Sequence, residues 1–324
     1  MVQVVQVLRH GGPEVLAVAD VALPAPSAGE VQIEQKAIGL NFIDTYFRTG
    51  LYPAPSMPFI PGNEGAGVVK TIGAGVSGLK PGDRVVYTAG LGAYAAVRNI
   101  KASALVKLPA KVSFEQAASV FLKGLTAEYL LFRTFKVKPG HVVLVHAAAG
   151  GTGLILCQWA KALGATVIGT AGSADKLKLA KKAGCDHVIN YSTEDFAARV
   201  IEITKGGKCD VVYDGVGKST FAGSLDSLKP FGMLVSFGNA SGPVDGVNLG
   251  ILAAKGSLYV TRPTLMTHIA EAKTYQSMAK RLLGAIANGT IKVGKPMRFD
   301  LAKAAEAHVA LEGRQTTGST ILVP

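Results

Sequence analysis

Residues 146–153 read HAAAGGTG, directly after the apolar run VVLV at 142–145 and directly before LILCQWAKAL. A β-branched apolar run, a glycine cluster and an amphipathic stretch together spell strand, tight turn and helix. In that arrangement the first amides of the helix and its positive dipole end converge on one point, and the anion that fits there is the pyrophosphate of a dinucleotide. Gly150, Gly151 and Gly153 permit the tight backbone and close helix packing, and Ala147 to Ala149 are too small to obstruct the approach. Dinucleotide sites that prefer a free ribose carry an Asp or Glu at the end of the next strand. Here TVIGT ends in Ala171, Gly172 and Ser173, with Lys176 shortly after. No carboxylate stands there to repel a 2′-phosphate, and a lysine at 4 Å would attract it by up to ~4 kcal/mol at an effective dielectric of 20, before desolvation. The spacing therefore predicts NADPH rather than NADH; the competing reading of Lys176 is one more solvated lysine of DKLKLAKK. A second glycine motif, GVGKST at 215–220, is not a nucleoside-triphosphate loop, because the first glycine of that pattern is replaced by Val212.

These residues need a sheet to hold them, and from Val142 the chain supplies one. Strand-like VVLV, TVIGT, HVIN, DVVYD, MLVSFG and SLYVT alternate with helical patterns near 154–163, 175–183, 194–204 and 219–228. Apolar strands interleaved with amphipathic helices predict an α/β, doubly wound, parallel six-stranded sheet. Before residue 113 the pattern is short β-type runs broken by Gly and Pro, a β-rich, barrel-like unit. SFEQ at 113–116 has capping-box form and opens a helix-rich stretch. A long helix over 265–288, a shorter one over 303–312 and a final strand STILV are expected to return to the first domain. The domain division expected is 1–122 with 267–324 for the β-rich unit and 123–266 for the nucleotide unit. His146 and His187, at strand ends, read as structural, and Met266, Met278 and Leu282 as helix packing.

The chain has 324 residues, 48% of them hydrophobic and 17% charged, which suits two domains with substantial cores. Its net charge of +12 is spread along the chain. That fits a solvated basic surface or phosphate ligands; RNA is the second polyanion to consider, although no interleaved basic and aromatic stripe supports it. Three cysteines without a C-x-x-C pair suggest neither disulfides nor structural zinc. With no signal-type N-terminus and no membrane-length apolar run, the expected location is cytoplasmic.

The segments NFIDTYFRTGLYP, GNEGAGVV, PGDRVV, FLKGLTA, HAAAGGTG, VINY, GSLYVTRP and GRQTTGS together resemble the medium-chain dehydrogenase/reductase superfamily, and within it the zinc-independent NADPH:quinone oxidoreductases of the zeta-crystallin type. The resemblance runs along essentially the whole chain. It implies a Rossmann domain beside a GroES-like barrel domain, and hydride transfer from NADPH to a quinone. Zinc-dependent members carry a histidine in a G-H-E segment; here Gly62, Asn63 and Glu64 stand there and none of the cysteines lies in the front domain, so no metal is expected. A quinone is already a strong hydride acceptor, so positioning and hydrogen bonds suffice.

Segment 41–53 is read as a loop-like substrate wall carrying Asn41, Asp44, Tyr46, Arg48 and Tyr52, with aromatic packing by Phe42, Phe47 and Phe59 as the other reading. The resemblance implies Asn41, Tyr46 and Tyr52 as catalytic residues, with Asn41, Phe42 and Ile43 against the nicotinamide. It also implies Thr126 and Tyr129 at the ribose, Gly151 and Thr152 at the pyrophosphate, and Gly172, Ser173, Lys176 and Tyr191 around the 2′-phosphate. Val216, Phe237, Gly238, Asn239 and Ser241 would line the cofactor bed, and Arg314 would close over it. A homodimer is implied, paired through the edge near Ser257–Thr261. Two other activities stay open: reduction of activated C=C bonds in enals or enones, and NADPH-sensitive RNA binding.

Overall fold

The computed structural model describes residues 1–313, 315, 316 and 318–324. The chain divides into two compact units, Met1–Leu122 with Ala279–Ala287 and Val293–Pro324, and Lys123–Met278 with Asn288–Lys292. The first unit opens with β1 (Val2–Val7) and β2 (Leu16–Val21), an antiparallel ribbon. There follow β3 (Glu30–Leu40), α1 (Phe42–Thr49), β4 (Glu64–Ile72), β5 (Arg84–Thr88), β6 (Val97–Lys101) and β7 (Leu105–Lys107). Helix α2 (Phe114–Tyr129) starts on the expected capping box: Ser113 Oγ accepts from Gln116 N at 3.1 Å, and Gln116 Oε1 accepts from Ser113 N at 3.0 Å. Two otherwise orphan amides are thereby satisfied, worth about 1 kcal/mol.

The second unit alternates as its sequence period demands. Its elements are β8 (Val142–Val145), α3 (Gly151–Ala162), β9 (Thr166–Ala171), α4 (Ala174–Lys182), β10 (His187–Asn190), α5 (Phe196–Ile203), β11 (Cys209–Asp214), α6 (Phe221–Asp226) and β12 (Leu228–Ser236). Then come α7 (Gly250–Ala254), a short helix the sequence reading did not anticipate, and β13 (Tyr259–Thr261). The six strands form one parallel sheet in the order β10-β9-β8-β11-β12-β13. Val143, Leu144, Val145, Val211, Val212, Leu234 and Val235 are fully buried. Each such side chain contributes roughly 1.5–3 kcal/mol, which is why these strands are continuous apolar runs rather than alternating ones.

The single helix expected over 265–288 is two, α8 (Leu265–His268) and α9 (Ala272–Ala287). Met278 and Leu282 are buried as expected, but Met266 is 38% exposed and does not pack a core. The chain ends in β14 (Met297–Asp300), α10 (Ala304–Glu312) and β15 (Thr320–Val323). These last two strands complete the seven-stranded sheet of the first unit, ordered β14-β15-β3-β4-β5-β7 with β6 also on β3; β15 runs antiparallel to β3 through Leu322 and Ile38.

Candidate active site

In the second unit the strand order reverses between β8 and β11, so the two crossovers leave in opposite directions and open a crevice at the carboxyl ends of those strands. Helix α3 begins there. Its N-cap is Gly150, with no side chain hydrogen-bonded to the helix start. Helices α4 and α5 differ: Ser173 Oγ accepts from Lys176 N at 3.4 Å, and Asp195 Oδ1 accepts from Ala197 N at 2.9 Å and Ala198 N at 3.2 Å. A helix start left without a side-chain cap at the switch point is a cradle for an external anion. Ala147 is held at φ +50°, the left-handed region that costs a non-glycine residue about 1 kcal/mol or more, and turns the chain toward Gly150. Gly153 is required by space: a Cβ there would stand 2.8 Å from Ala148 Cα and nearer still to Ala147 O. Gly153 therefore permits the close helix packing expected of it, and Gly150 stands at the N-cap.

Strands β9 and β10 pair with Ala171 opposite Asn190, which sets the residues that follow them side by side. A Cβ on Gly172 would lie 2.6 Å from Tyr191 Oη, so only glycine lets that ring lie across the strand end. Tyr191 is 41% exposed, Ser173 is exposed, and Lys176 is half-buried one turn into α4. Gly172, Ser173, Lys176 and Tyr191 thus follow the paired ends of β9 and β10.

At the end of β11, Asp214 is buried and Oδ1 accepts from Val216 N at 2.8 Å and Gly217 N at 3.0 Å. Ser241 binds Val216 O through its backbone N at 2.8 Å and its hydroxyl at 2.9 Å. Gly238 lies so near Gly215 that a Cβ would meet its Cα at 2.9 Å, and the Phe237 ring sits 3.0 Å from where a Cβ on Gly215 would stand. Val216, Phe237, Gly238, Asn239 and Ser241 therefore form one half-buried shelf. On α2, Thr126 and Tyr129 are buried, and Tyr129 stacks on His268 with ring centroids 4.5 Å apart. Burial pushes the Tyr129 phenol well above its ordinary range, partly countered by Arg262, so it stays protonated. Arg314 lies outside the described residues.

In the first unit, segment 41–53 is not a loop-like wall: residues 42–49 are helix α1. Asp44 Oδ2 accepts from Asn41 N at 2.9 Å, holding the helix start, and Oδ1 accepts from Asn63 Nδ2 at 2.7 Å. Asp44 and Arg48 are buried and serve the fold rather than a substrate face. Arg48 donates through Nε to Gly11 O at 3.1 Å, through Nη1 to His308 Nδ1 at 2.9 Å, and through Nη2 to Glu312 Oε1 at 2.7 Å. With Nδ1 accepting, His308 carries its proton on Nε2 and donates to Tyr94 Oη at 2.9 Å. Burial, and then the Arg48 charge, push the His308 pKa down to about 3, so it is neutral here.

Asn41 is nearly buried, and its Nδ2 donates to Glu64 Oε1 at 2.7 Å; Glu64 Oε2 accepts from Leu122 N at 2.6 Å. Glu64 is a member of the site that sequence reading missed, although a carboxylate at the head of an apolar strand was a visible signal. Tyr46 and Tyr52 are half-buried and meet edge to face at 5.3 Å, with Tyr52 N on Tyr46 O at 3.0 Å. Phe42 is 39% exposed, while Phe59 is buried in a cluster with Val7 and Val15 against which Phe47 packs. The exposed and half-exposed residues of this helix are thus Phe42, Ile43, Tyr46, Phe47 and Thr49, with half-buried Tyr52 just beyond its end.

A catalytic zinc does not fit these donors. Asn63 is committed to Asp44, and Cys157, Cys185 and Cys209 are buried thiols of the second unit, the first two 3.3 Å apart through sulfur. Among the described residues no group of three or more His, Cys, Asp or Glu is placed to hold a metal ion.

A zinc-binding dehydrogenase family matches residues 151–284, and an alcohol dehydrogenase GroES-like domain matches residues 27–139. A quinone oxidoreductase of Pseudomonas aeruginosa is 53% identical, covering 100% of both chains. The crystal structure of Escherichia coli quinone oxidoreductase complexed with NADPH superposes with a TM-score of 0.97 at 53% identity, covering 99% of this chain and 100% of that one. A 2-haloacrylate reductase from a Burkholderia species is 43% identical over 100% of this chain and 99% of its own length.

Proposed function

The chain belongs to the quinone oxidoreductases of the medium-chain dehydrogenase/reductase superfamily, and from that membership we infer that it is an NADPH-dependent, zinc-independent reductase of quinones. The observation that carries the cofactor reading is the α3 start without a side-chain cap at the sheet's switch point, beside a β9 end that bears no carboxylate. The amides of Gly151, Thr152 and Gly153 hold the pyrophosphate there. Gly172, Ser173, Lys176 and Tyr191 take the 2′-phosphate, where the ammonium and the helix start both favour negative charge. Thr126, Tyr129 and the Val216–Ser241 shelf accept the nicotinamide half.

When bound, NADPH supplies a hydride to one quinone oxygen-bearing ring, and one proton completes the hydroquinone. The chain's part is to orient and to hydrogen-bond. Asn41, fixed by Glu64, presents a single rotamer, and the Tyr46–Tyr52 pair offers aromatic faces for a flat ring with phenol hydroxyls for its oxygens. Proximity of this kind is worth about 7–11 kcal/mol of barrier, enough for an acceptor as reactive as a quinone. Steady-state NADPH oxidation against benzoquinones, naphthoquinones and enones tests the assignment. Turnover confined to quinones is expected. Turnover confined to enones or haloacrylates, the activity named for the Burkholderia relative, would replace it with C=C reduction.

We further propose a homodimer joined through β13, an edge strand whose Tyr259 and Val260 are 57% and 39% exposed, since such an edge invites pairing with its own copy. A monomer mass in sedimentation velocity would exclude it. Among the described residues no helix is long and apolar enough to cross a membrane, and three reduced thiols fit the cytoplasm.

A further inference from the structure

Beneath the carboxyl edge of the sheet in the second unit runs a buried chain of four side chains. Thr170 Oγ1 lies 2.9 Å from His146 Nδ1, and His146 Nε2 lies 3.0 Å from Ser224 Oγ. Ser224 Oγ then donates to Asp214 Oδ2 at 2.9 Å. All four residues are buried. The same carboxylate accepts from Thr220 Oγ1 at 2.7 Å and, through Oδ1, from the amides of Val216 and Gly217.

The direction of the chain follows from donor counting. A carboxylate only accepts, so the Ser224 hydroxyl proton is committed to Asp214. Its oxygen is left to accept from His146, whose Nε2 must then carry the ring proton. Nδ1 is therefore the acceptor, and Thr170 is the donor. One tautomer satisfies every group, and burial, which pushes the His146 pKa down, keeps the ring neutral against the opposing pull of Asp214.

What this chain connects is more telling than what it satisfies. Thr170 is the penultimate residue of β9, just before the Ala171–Lys176 corner, and its carbonyl also accepts from Ala148 N of the glycine turn at 2.9 Å. His146 is the first residue of that turn, and its own amide is bonded to Tyr213 O of β11 at 3.0 Å. Asp214 ends β11 and anchors the Val216–Gly217 backbone. The three loops assigned above to the 2′-phosphate, the pyrophosphate and the nicotinamide are therefore fastened to one hydrogen-bonded string, running through adjacent strands β9, β8 and β11.

We propose that His146, Thr170, Ser224 and Asp214 are positioning residues that hold these three loops in register, and so set NADPH affinity without touching the cofactor. The proposal rests on the cofactor reading given above. It differs from a packing role in a way that two variants separate. Thr170→Val keeps shape and removes the hydroxyl; Thr170→Ser keeps the hydroxyl and removes a methyl. A positioning role predicts that Thr170→Val weakens NADPH binding about tenfold by cofactor fluorescence, with kcat for a quinone at saturating NADPH within twofold of the parent, while Thr170→Ser binds like the parent. The reverse order, or no difference in affinity, overturns the proposal.

A second readout needs no cofactor. In protein labelled with 15N-histidine, His146 should show the Nε2–H tautomer, and Asp214→Asn, whose amide can donate to Ser224, should convert it to Nδ1–H. A parent ring found as Nδ1–H, or one unaffected by Asp214→Asn, contradicts the string. Failure of the cofactor reading is distinguishable, because then the parent itself would not bind NADPH although the tautomer result would stand.

Discussion

Gly153→Ala gives the sharpest test of where the pyrophosphate lies. The added methyl would stand 2.8 Å from Ala148 Cα, where ordinary contacts begin at 3.4 Å, and the nearer obstacle, Ala147 O, is also backbone. No flexible side chain can yield, so α3 and the turn must part by at least ~0.6 Å, an overpacking cost of about 1–3 kcal/mol. Parting them moves the amides of Gly151 and Thr152 relative to the strand ends. A charge-assisted hydrogen bond is worth about 1.5–3 kcal/mol, so losing the alignment of one predicts a 10- to 100-fold rise in the NADPH dissociation constant. Gly150→Ala is the internal control: its backbone is already at φ −75°, and its Cβ would meet only Ala147 O, at 3.1 Å. That variant should bind within about threefold of the parent. Fluorescence titration of NADPH and urea unfolding of all three proteins read affinity and stability separately. If Gly153→Ala lost stability as expected yet bound NADPH unchanged, the pyrophosphate would not be on this turn.

Three other outcomes follow from the geometry. Lys176→Ala should raise KM for NADPH tenfold or more and leave KM for NADH nearly unchanged; equal effects on both would return Lys176 to the role of a solvated lysine. Arg48→Met removes three donors from a buried site and leaves His308 Nδ1 and Gly11 O without them, a loss of about 3–5 kcal/mol in urea unfolding; a loss below 1 kcal/mol would show that the array stabilises little. His308, pushed down to about 3 from 6.5, binds its proton less readily folded than unfolded. Its contribution is therefore fully present above pH 6.5 and is lost as pH falls toward 3, at about 1.4 kcal/mol per unit across that window. His308→Gln should flatten the pH dependence of the melting temperature between pH 6 and 4; an unchanged slope would assign the acid sensitivity to other groups.

The second unit was legible because its signals are local and periodic. A run such as VVLV between a polar turn and a glycine cluster can be little else than a buried parallel strand, and all six strands lie where the period placed them. The Ser113 box was readable for the same reason, since both partners lie within four residues. Helix α1 was not, because its inward face is polar. Asp44, Thr45 and Arg48 are the residues it buries, while Phe42 is left exposed, the reverse of the pattern by which amphipathic helices are recognised. The break between α8 and α9 was hidden as well, for Ile269, Ala270 and Glu271 include neither Gly nor Pro to announce it.

What no local pattern carries is the partnership of groups distant in sequence. Arg48 meets His308 across 260 positions, and His146 meets Ser224 across 78. Taken singly, each looks like a surface arginine or a lone core histidine, because residue type records that a group is polar and not who will satisfy it. Burial reverses the inference: a carboxylate such as Asp214 or Glu64 inside the fold is tolerable only when its lone pairs are filled, so its donors must be fixed. Those fixed donors are the amides of Val216 and Gly217 in the second unit, and the amide of Leu122 and the side chain of Asn41 in the first. The rigidity that hydride transfer requires is thus supplied by the groups that cost most to bury, and an acidic residue at the end or the head of an otherwise apolar strand is the one trace of this that a sequence displays.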